Sequence, residues 1–179
     1  MFYSLDRFPE LKILEDNWLD ILHELNSEET KNYTHWPQSH VYDGVWVVCD
    51  LLVAGHLNNQ NAKSFPKTMA LLSQIPGLYT AGFSALAPGT VIKPHTGFTD
   101  TVLRAHLGLM CPDNCAIRVG EETRQWEEGK CLIFDDTVEH SVYNHSSNVR
   151  VVLLMDIAKD LSVGASYPDN ITAFLGTQQ

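Results

Sequence analysis

The chain has 179 residues, 22 of them acidic and 12 basic, for a formal net charge of −10; hydrophobic residues make up 44% and charged residues 19%. That is the composition of a folded globular protein, large enough to bury roughly 70% of its unfolded surface, and it excludes a disordered chain. The negative charge argues against a non-specific nucleic-acid binder and against docking on anionic lipid, no apolar run reaches the ~18–20 residues of a membrane span, and Met1 to Glu10 lack the pattern of a signal peptide.

The first predicted helix follows Asp16. Apolar residues at 18, 19, 21, 22 and 25 make one face of a helix with an acidic start. Residues 45–48 read as a strand and 54–64 as a loop, and the whole stretch from Glu28 to Ser64 is a candidate lid. A second helix begins at Pro66, a favoured first-turn position, runs to about Gln74 and stops at Pro76-Gly77. Residues 1–77 are therefore expected to be helical and irregular. From 78 onward short apolar or alternating runs recur at 79–86, 91–93, 101–110, 116–119, 123–126, 131–134, 141–144 and 149–156, broken by Pro88-Gly89, Pro112-Asp113-Asn114, Gly120-Glu121 and Glu128-Gly129. Eight short strands with helices on their N-terminal side predict a mainly β protein, a jelly roll of the cupin kind.

Cys49, Cys111, Cys115 and Cys131 come without an export signal, so they are expected as reduced, buried or half-buried thiols in a cytoplasmic protein. Cys111 and Cys115 lack the second close Cys or His pair of a structural zinc site. Of the eight histidines, His23, His35, His40 and His56 read as ordinary packed or solvated imidazoles, and His145 as a surface or loop residue. His95 and His140 differ: each falls at the end of a predicted strand, where a jelly roll brings distant segments to one mouth. Two imidazoles with open positions suit a divalent transition metal, but the usual iron triad adds a carboxylate two residues after the first histidine, where Gly97 stands. Arg104 and His106 alternate along one apolar strand and so face the same way. Arg104 is either satisfied by an internal carboxylate such as Asp100 or Asp135, or binds an anion. Arg150 either snorkels outward from its core strand or clamps a carboxylate.

The combination is more specific than its parts. Ser84-Ala85-Leu86-Ala87-Pro88-Gly89-Thr90, Pro94-His95-Thr96-Gly97, Leu103-Arg104-Ala105-His106-Leu107-Gly108-Leu109, Trp126-Glu127-Glu128-Gly129-Lys130 and Phe134-Asp135-Asp136-Thr137-Val138-Glu139-His140, with Arg150 ten residues on, closely resemble the aspartyl/asparaginyl β-hydroxylase family of Fe(II)- and 2-oxoglutarate-dependent oxygenases. The close match covers 79–157; a looser one, through Phe8-Pro9-Glu10, Asn17-Trp18 and Pro66-Lys67-Thr68, covers most of the remainder. The resemblance implies one oxygenase domain over 1–179, with a helical part at about 1–77, a double-stranded β-helix at about 78–157 and a tail at about 158–179. It implies that His95 and His140 ligate Fe(II), with Gly97 matching family members that lack the carboxylate ligand. It implies that Arg150 and Ser84 hold the far carboxylate of 2-oxoglutarate, that Arg104 and His106 line the cosubstrate pocket, and that Trp46 contacts the cosubstrate.

The reaction so implied consumes O₂ and releases succinate and CO₂ while β-hydroxylating an Asp- or Asn-like unit, small-molecule, peptidyl or carrier-bound, with no nucleic-acid or membrane partner. The animal enzyme that gives the family its name carries a membrane anchor and a helical-repeat domain. Neither is read here, so activity on epidermal-growth-factor-like domains is not carried over, and a lipid substrate is disfavoured. The competing readings are a non-catalytic cupin-like metal-binding protein, an iron halogenase with chloride at the Gly97 vacancy, and a purely structural jelly roll.

Overall fold

The computed structural model describes residues 1–27 and 32–169. Its first third holds strands β1 (Phe2–Tyr3), β2 (Thr34–His35), β3 (Tyr42–Asp43), β4 (Trp46–Val53) and β5 (His56–Leu57), and helices α1 (Lys12–Asp16), α2 (Trp18–Ser27), α3 (Asn59–Ala62) and α4 (Pro66–Leu72). Then follow β6 (Leu78–Leu86), β7 (Val91–His95), β8 (Val102–Met110), β9 (Cys115–Val119), β10 (Glu122–Gln125), β11 (Cys131–Phe134), β12 (His140–Asn144) and β13 (Arg150–Ala158). These last eight are the strands expected from the sequence, with ends shifted by at most two residues. They form a double-stranded β-helix: β11-β8-β13-β6 in one antiparallel sheet faces β10-β9-β12-β7 in the other.

The first third departs from expectation. It is not only helical and irregular, because β1 pairs with β11, β4 with β6, and β3 with β7, widening both sheets. The strand expected at 45–48 continues to Val53, through a bulge between Asp50 and Leu52. Asp50 interrupts the apolar run, and the bulge adds an unpaired residue that shifts the alternation downstream. The loop expected at 54–64 carries β5 and the short α3. Of the candidate lid, residues 28–31 lie outside the described residues, as do 170–179 of the tail. Among the described residues no helix is long and apolar enough to cross a membrane.

The large sheet is covered on both sides, so all nine residues of β13 are buried. Successive strand residues point to opposite faces. Leu103, Ala105 and Leu107 of β8 and Leu153, Met155 and Ile157 of β13 pack against Leu14, Ile21, Leu25 and Leu72 of the helices. The helix layer is tied together by Glu24 of α2, whose carboxylate accepts from the backbone N–H groups of Lys67 and Thr68, each at 2.8 Å. It thereby satisfies the otherwise unbonded N-terminus of α4. The opposite face meets the small sheet in a second core built on Leu86, Ile92, Ile117, Phe134, Val142, Val152 and Leu154. Because of the same alternation, the polar strand residues Ser84, Arg104, His106, Arg150 and Asp156 fall on this second face and are all buried.

Candidate active site

Trp46, Ser84, His95, Arg104, His106, His140 and Arg150 all line one cavity between the sheets. The other histidines do not line it: His23, His35, His40, His56 and His145 are exposed.

His95 ends β7 and stands directly opposite His140 at the start of β12. The ring centroids are 4.2 Å apart. Nδ1 of His95 lies 2.8 Å from the Lys93 carbonyl, and Nδ1 of His140 lies 2.9 Å from the Val138 carbonyl. A carbonyl only accepts, so each Nδ1 donates its proton and each Nε2 presents a lone pair. Burial holds both rings neutral, lowering the pKa of His95 and taking that of His140, with His95 beside it, down to about 3. Two neutral imidazoles fixed in orientation by backbone carbonyls could hold a divalent transition metal through their Nε2 atoms. A Cβ at position 97 would overlap the carboxylate of Asp136, which would have to move aside, and the Asp136 backbone carbonyl accepts from the Gly97 N–H at 2.7 Å. Asp136 is buried, its Oδ1 has no hydrogen-bond partner among the described residues, and burial pushes its carboxyl up to about 6.

Deeper in the cavity sits Arg150. It does not snorkel: only 2% of it is exposed. Its guanidinium lies 4.8 Å from the centroid of the Trp126 ring, and among the described residues its Nε and Nη1 have no hydrogen-bond partner. Burial lowers its pKa to about 10. Trp126 Nε1–H donates to Nδ1 of His106 at 3.1 Å. Burial keeps His106 neutral, so its proton is on Nε2, which is also buried and unpartnered. Trp46 Nε1–H donates to Ser84 Oγ at 2.9 Å, which leaves the Ser84 hydroxyl proton to be donated elsewhere. Buried donors without acceptors are costly, and a buried cation needs an anion. This donor set fits a carboxylate in the cavity.

Arg104 is placed differently. Its Nε and Nη2 donate to the two oxygens of Asp156, each at 2.8 Å, and its Nη1 lies 3.5 Å from Asp136. The internal carboxylates are thus Asp156 and Asp136, not Asp100 or Asp135; Asp135 pairs with Lys159 at 2.9 Å. Tyr167 from the tail donates to Asp156 at 2.6 Å and meets the Thr80 hydroxyl at 2.6 Å. Burial opposes the Arg104 charge, but Asp156 and Asp136 outweigh it and raise its pKa. Truncating one partner of such a buried pair is strongly destabilising, unlike an exposed pair such as Lys93–Asp43 at 3.1 Å. Asp156→Ala is expected to lower the unfolding free energy by about 3–5 kcal/mol in a urea titration; a loss below about 1 kcal/mol would show the network to be dispensable.

Trp126, Asp136, Asp156 and Tyr167 were not singled out from the sequence. Asp156 carried a usable signal, since it shares the parity of Arg150 along β13. Arg104 and Asp156 also border a second cavity, together with Trp36, Val48, Asp50, Phe98 and Tyr167.

The family described as Aspartyl/Asparaginyl beta-hydroxylase matches residues 15–160. An "Ornithine lipid ester-linked acyl 2-hydroxylase" from Rhizobium tropici is 44% identical over 128 residues, covering 70% of this chain and 46% of the relative. An "Aspartyl/asparaginyl beta-hydroxylase" from Homo sapiens is 42% identical over 122 residues, covering 64% of this chain and 16% of the relative. The chain thus spans less than half the length of either relative. A solved 2OG-Fe(II) oxygenase family oxidoreductase from Burkholderia pseudomallei superposes with a TM-score of 0.59 at 13% identity, covering 79% of each chain, a likeness of fold.

Proposed function

The chain belongs to the aspartyl/asparaginyl β-hydroxylase family, and from that membership we propose that it is an Fe(II)- and 2-oxoglutarate-dependent dioxygenase, one domain over residues 1–179, working in the cytoplasm without a nucleic-acid or membrane partner. The observation that carries this reading is the meeting, in one cavity, of two imidazoles with free Nε2 atoms and a buried arginine with unmet donors. Fe(II) with 2-oxoglutarate would supply O₂ activation, for the overall reaction R–H + 2-oxoglutarate + O₂ → R–OH + succinate + CO₂.

The chain's own residues bind, orient and exclude water. His95 and His140 would hold the iron through Nε2, kept in that tautomer by the Lys93 and Val138 carbonyls. Arg150 would take the far carboxylate of 2-oxoglutarate, assisted by the Ser84 hydroxyl, which Trp46 orients. His106 Nε2–H is a further donor, held towards the cosubstrate by Trp126. Arg104, neutralised by Asp156 and Asp136, would form a wall of the site and not a clamp for the cosubstrate. The packed cavity would exclude bulk water from a metal held there. β-Hydroxylation of an Asp- or Asn-like unit is the substrate class to begin from. The Asp136 carboxylate beside Gly97 favours hydroxylation over halogenation, because an anionic group occupies the space a chloride would enter.

The test is anaerobic addition of Fe(II) and 2-oxoglutarate to the purified protein. A visible metal-to-ligand charge-transfer band, absent when Zn(II) replaces Fe(II), followed by succinate on admission of O₂, is the expected result. Iron occupancy without a band or succinate would give the lead to a non-catalytic metal-binding protein.

A further inference from the structure

The second cavity adjoins the cosubstrate pocket and shares Arg104 with it. Its walls are largely apolar, formed by Trp36, Pro37, Val48, Val53, Phe98 and Tyr167. Two charged features border it. The first is the Arg104–Asp156 pair, already matched atom for atom at 2.8 Å. A carboxylate entering the cavity therefore meets no unpaired Lys or Arg among the described lining residues.

The second is Asp50 on β4. Among the described residues no hydrogen bond or ion pair reaches its carboxylate; only its backbone carbonyl is used, accepting from Asn61 Nδ2 at 2.7 Å. Asp50 is half-buried and stands where the apolar cavity meets a polar pocket lined by Asn32, Asn58 and Gln60, and burial pushes its carboxyl up to about 6. The bulge that follows it returns Val53 to the cavity wall, so Val48, Asp50 and Val53 all border the same space. An apolar space with one unmet carboxylate calls for an apolar ligand with one positive charge.

We propose that this cavity seats a cationic, otherwise apolar arm of the prime substrate, an ammonium or guanidinium held by Asp50 at the end of an aliphatic or aromatic chain. The assignment of this arm to a substrate rests on the oxygenase reading above. Asp50 lies on β4 and Arg104 on β8, with β6 and β13 between them, so their backbones are separated by three strand spacings, roughly 14 Å. The positive charge would thus sit several bonds from the C–H that is oxidised beside His95 and His140. An acidic arm is disfavoured, because Arg104, the arginine among the described lining residues, already faces the carboxylates of Asp156 and Asp136.

The experiment uses three probes with one chain and different heads: hexylamine, 1-hexanol and hexanoate, titrated by calorimetry and by tryptophan fluorescence, which Trp36 in the cavity wall reports. Hexylamine is expected to bind at least about tenfold more tightly than the other two. Asp50→Asn is expected to remove that preference, Asp50→Glu to keep it, and both to leave the Fe(II)–2-oxoglutarate charge-transfer band unchanged. Equal affinity for hexanoate, no saturable hexylamine binding, or an unaltered preference in folded Asp50→Asn would overturn the proposal. Should Asp50→Asn not fold, the wild-type order of the three heads decides. A normal band without amine binding removes the subsite and leaves the oxygenase reading standing. Asp50-dependent amine binding in a protein that gives no band removes the oxygenase reading, and the assignment of the arm to a substrate falls with it.

Discussion

In an Arg150→Gln variant, the 2-oxoglutarate concentration giving half-saturation is expected to rise about 10²–10³-fold, with iron still bound. The reasoning starts from burial. Arg150 is 2% exposed, and its Nε and Nη1 meet no acceptor among the described residues. Burial opposes its charge, and the groups that would favour it, Cys115 and Cys111, are themselves held protonated by burial, Cys111 being pushed up to about 12. A carboxylate bound here gains charge-assisted hydrogen bonds in a water-poor space, and such desolvated pairs are worth about 3–4 kcal/mol when one partner is truncated. Glutamine keeps a hydrogen-bond donor and loses the charge and the fork. Removing a buried, unmatched cation also relieves the apo fold, so Arg150→Gln should unfold at a temperature no lower than wild type. Weak cosubstrate binding together with undiminished stability separates a binding role from a structural one. Unchanged half-saturation would take Arg150 out of the pocket.

His95→Ala is expected to weaken iron binding by more than about 100-fold, since even changes in the shell supporting a ligand cost 10–100-fold. Among the described residues no third His, Cys, Asp or Glu groups with these two histidines as a metal cluster, and β7 and β12 place the two opposite each other. The same geometry gives a sign for pH. A metal competes with protons for Nε2, and burial has moved both imidazoles below the ordinary value of 6.5. Protonation therefore sets in at lower pH than for an exposed histidine, and iron affinity should change little between about pH 7.5 and about pH 6. Titration of the charge-transfer band at several pH values measures both effects. A steep loss centred near pH 6.5 would mean that the rings are not buried as described, and a full band in His95→Ala would remove it as a ligand.

The eight β-helix strands were legible because apolar runs broken by Pro, Gly, Asn and Asp carry both strand and turn information locally. Arg104 and His106 were legible as a same-face pair for the same reason. What was not legible is what crosses strands. Arg104 and Asp156 are 52 residues apart and meet only because β13 and β8 pair in one particular register. The nearer Asp100 and Asp135 looked equally suitable by sequence alone. Trp126, at the end of the run expected as a strand at 123–126, lies just beyond β10, and its bond to His106 crosses to β8, which no local pattern shows. Tyr167 lies in a tail with no pattern, and its place becomes readable only through its bond to Asp156. The extension of β4 was hidden because an aspartate inside a β run reads as a strand end until a cavity is known to face it.

The alternation along β13 has a consequence for how the chain reaches this fold. Its odd-numbered apolar residues Val151, Leu153, Met155 and Ile157 face the helices, and Arg150 and Asp156 face the small sheet. A slip of one residue against β8 would exchange the two sets, thrusting Arg150 and Asp156 into the helix-packed core. It would also carry Asp156 away from Arg104 and leave two buried charges unmatched. Hydrophobicity alone discriminates weakly between the two alignments of a strand that is buried on both faces. The charged residues discriminate strongly, so the side chains that furnish the pocket also proofread strand alignment during folding, and their replacement by apolar residues would trade fidelity of assembly for stability.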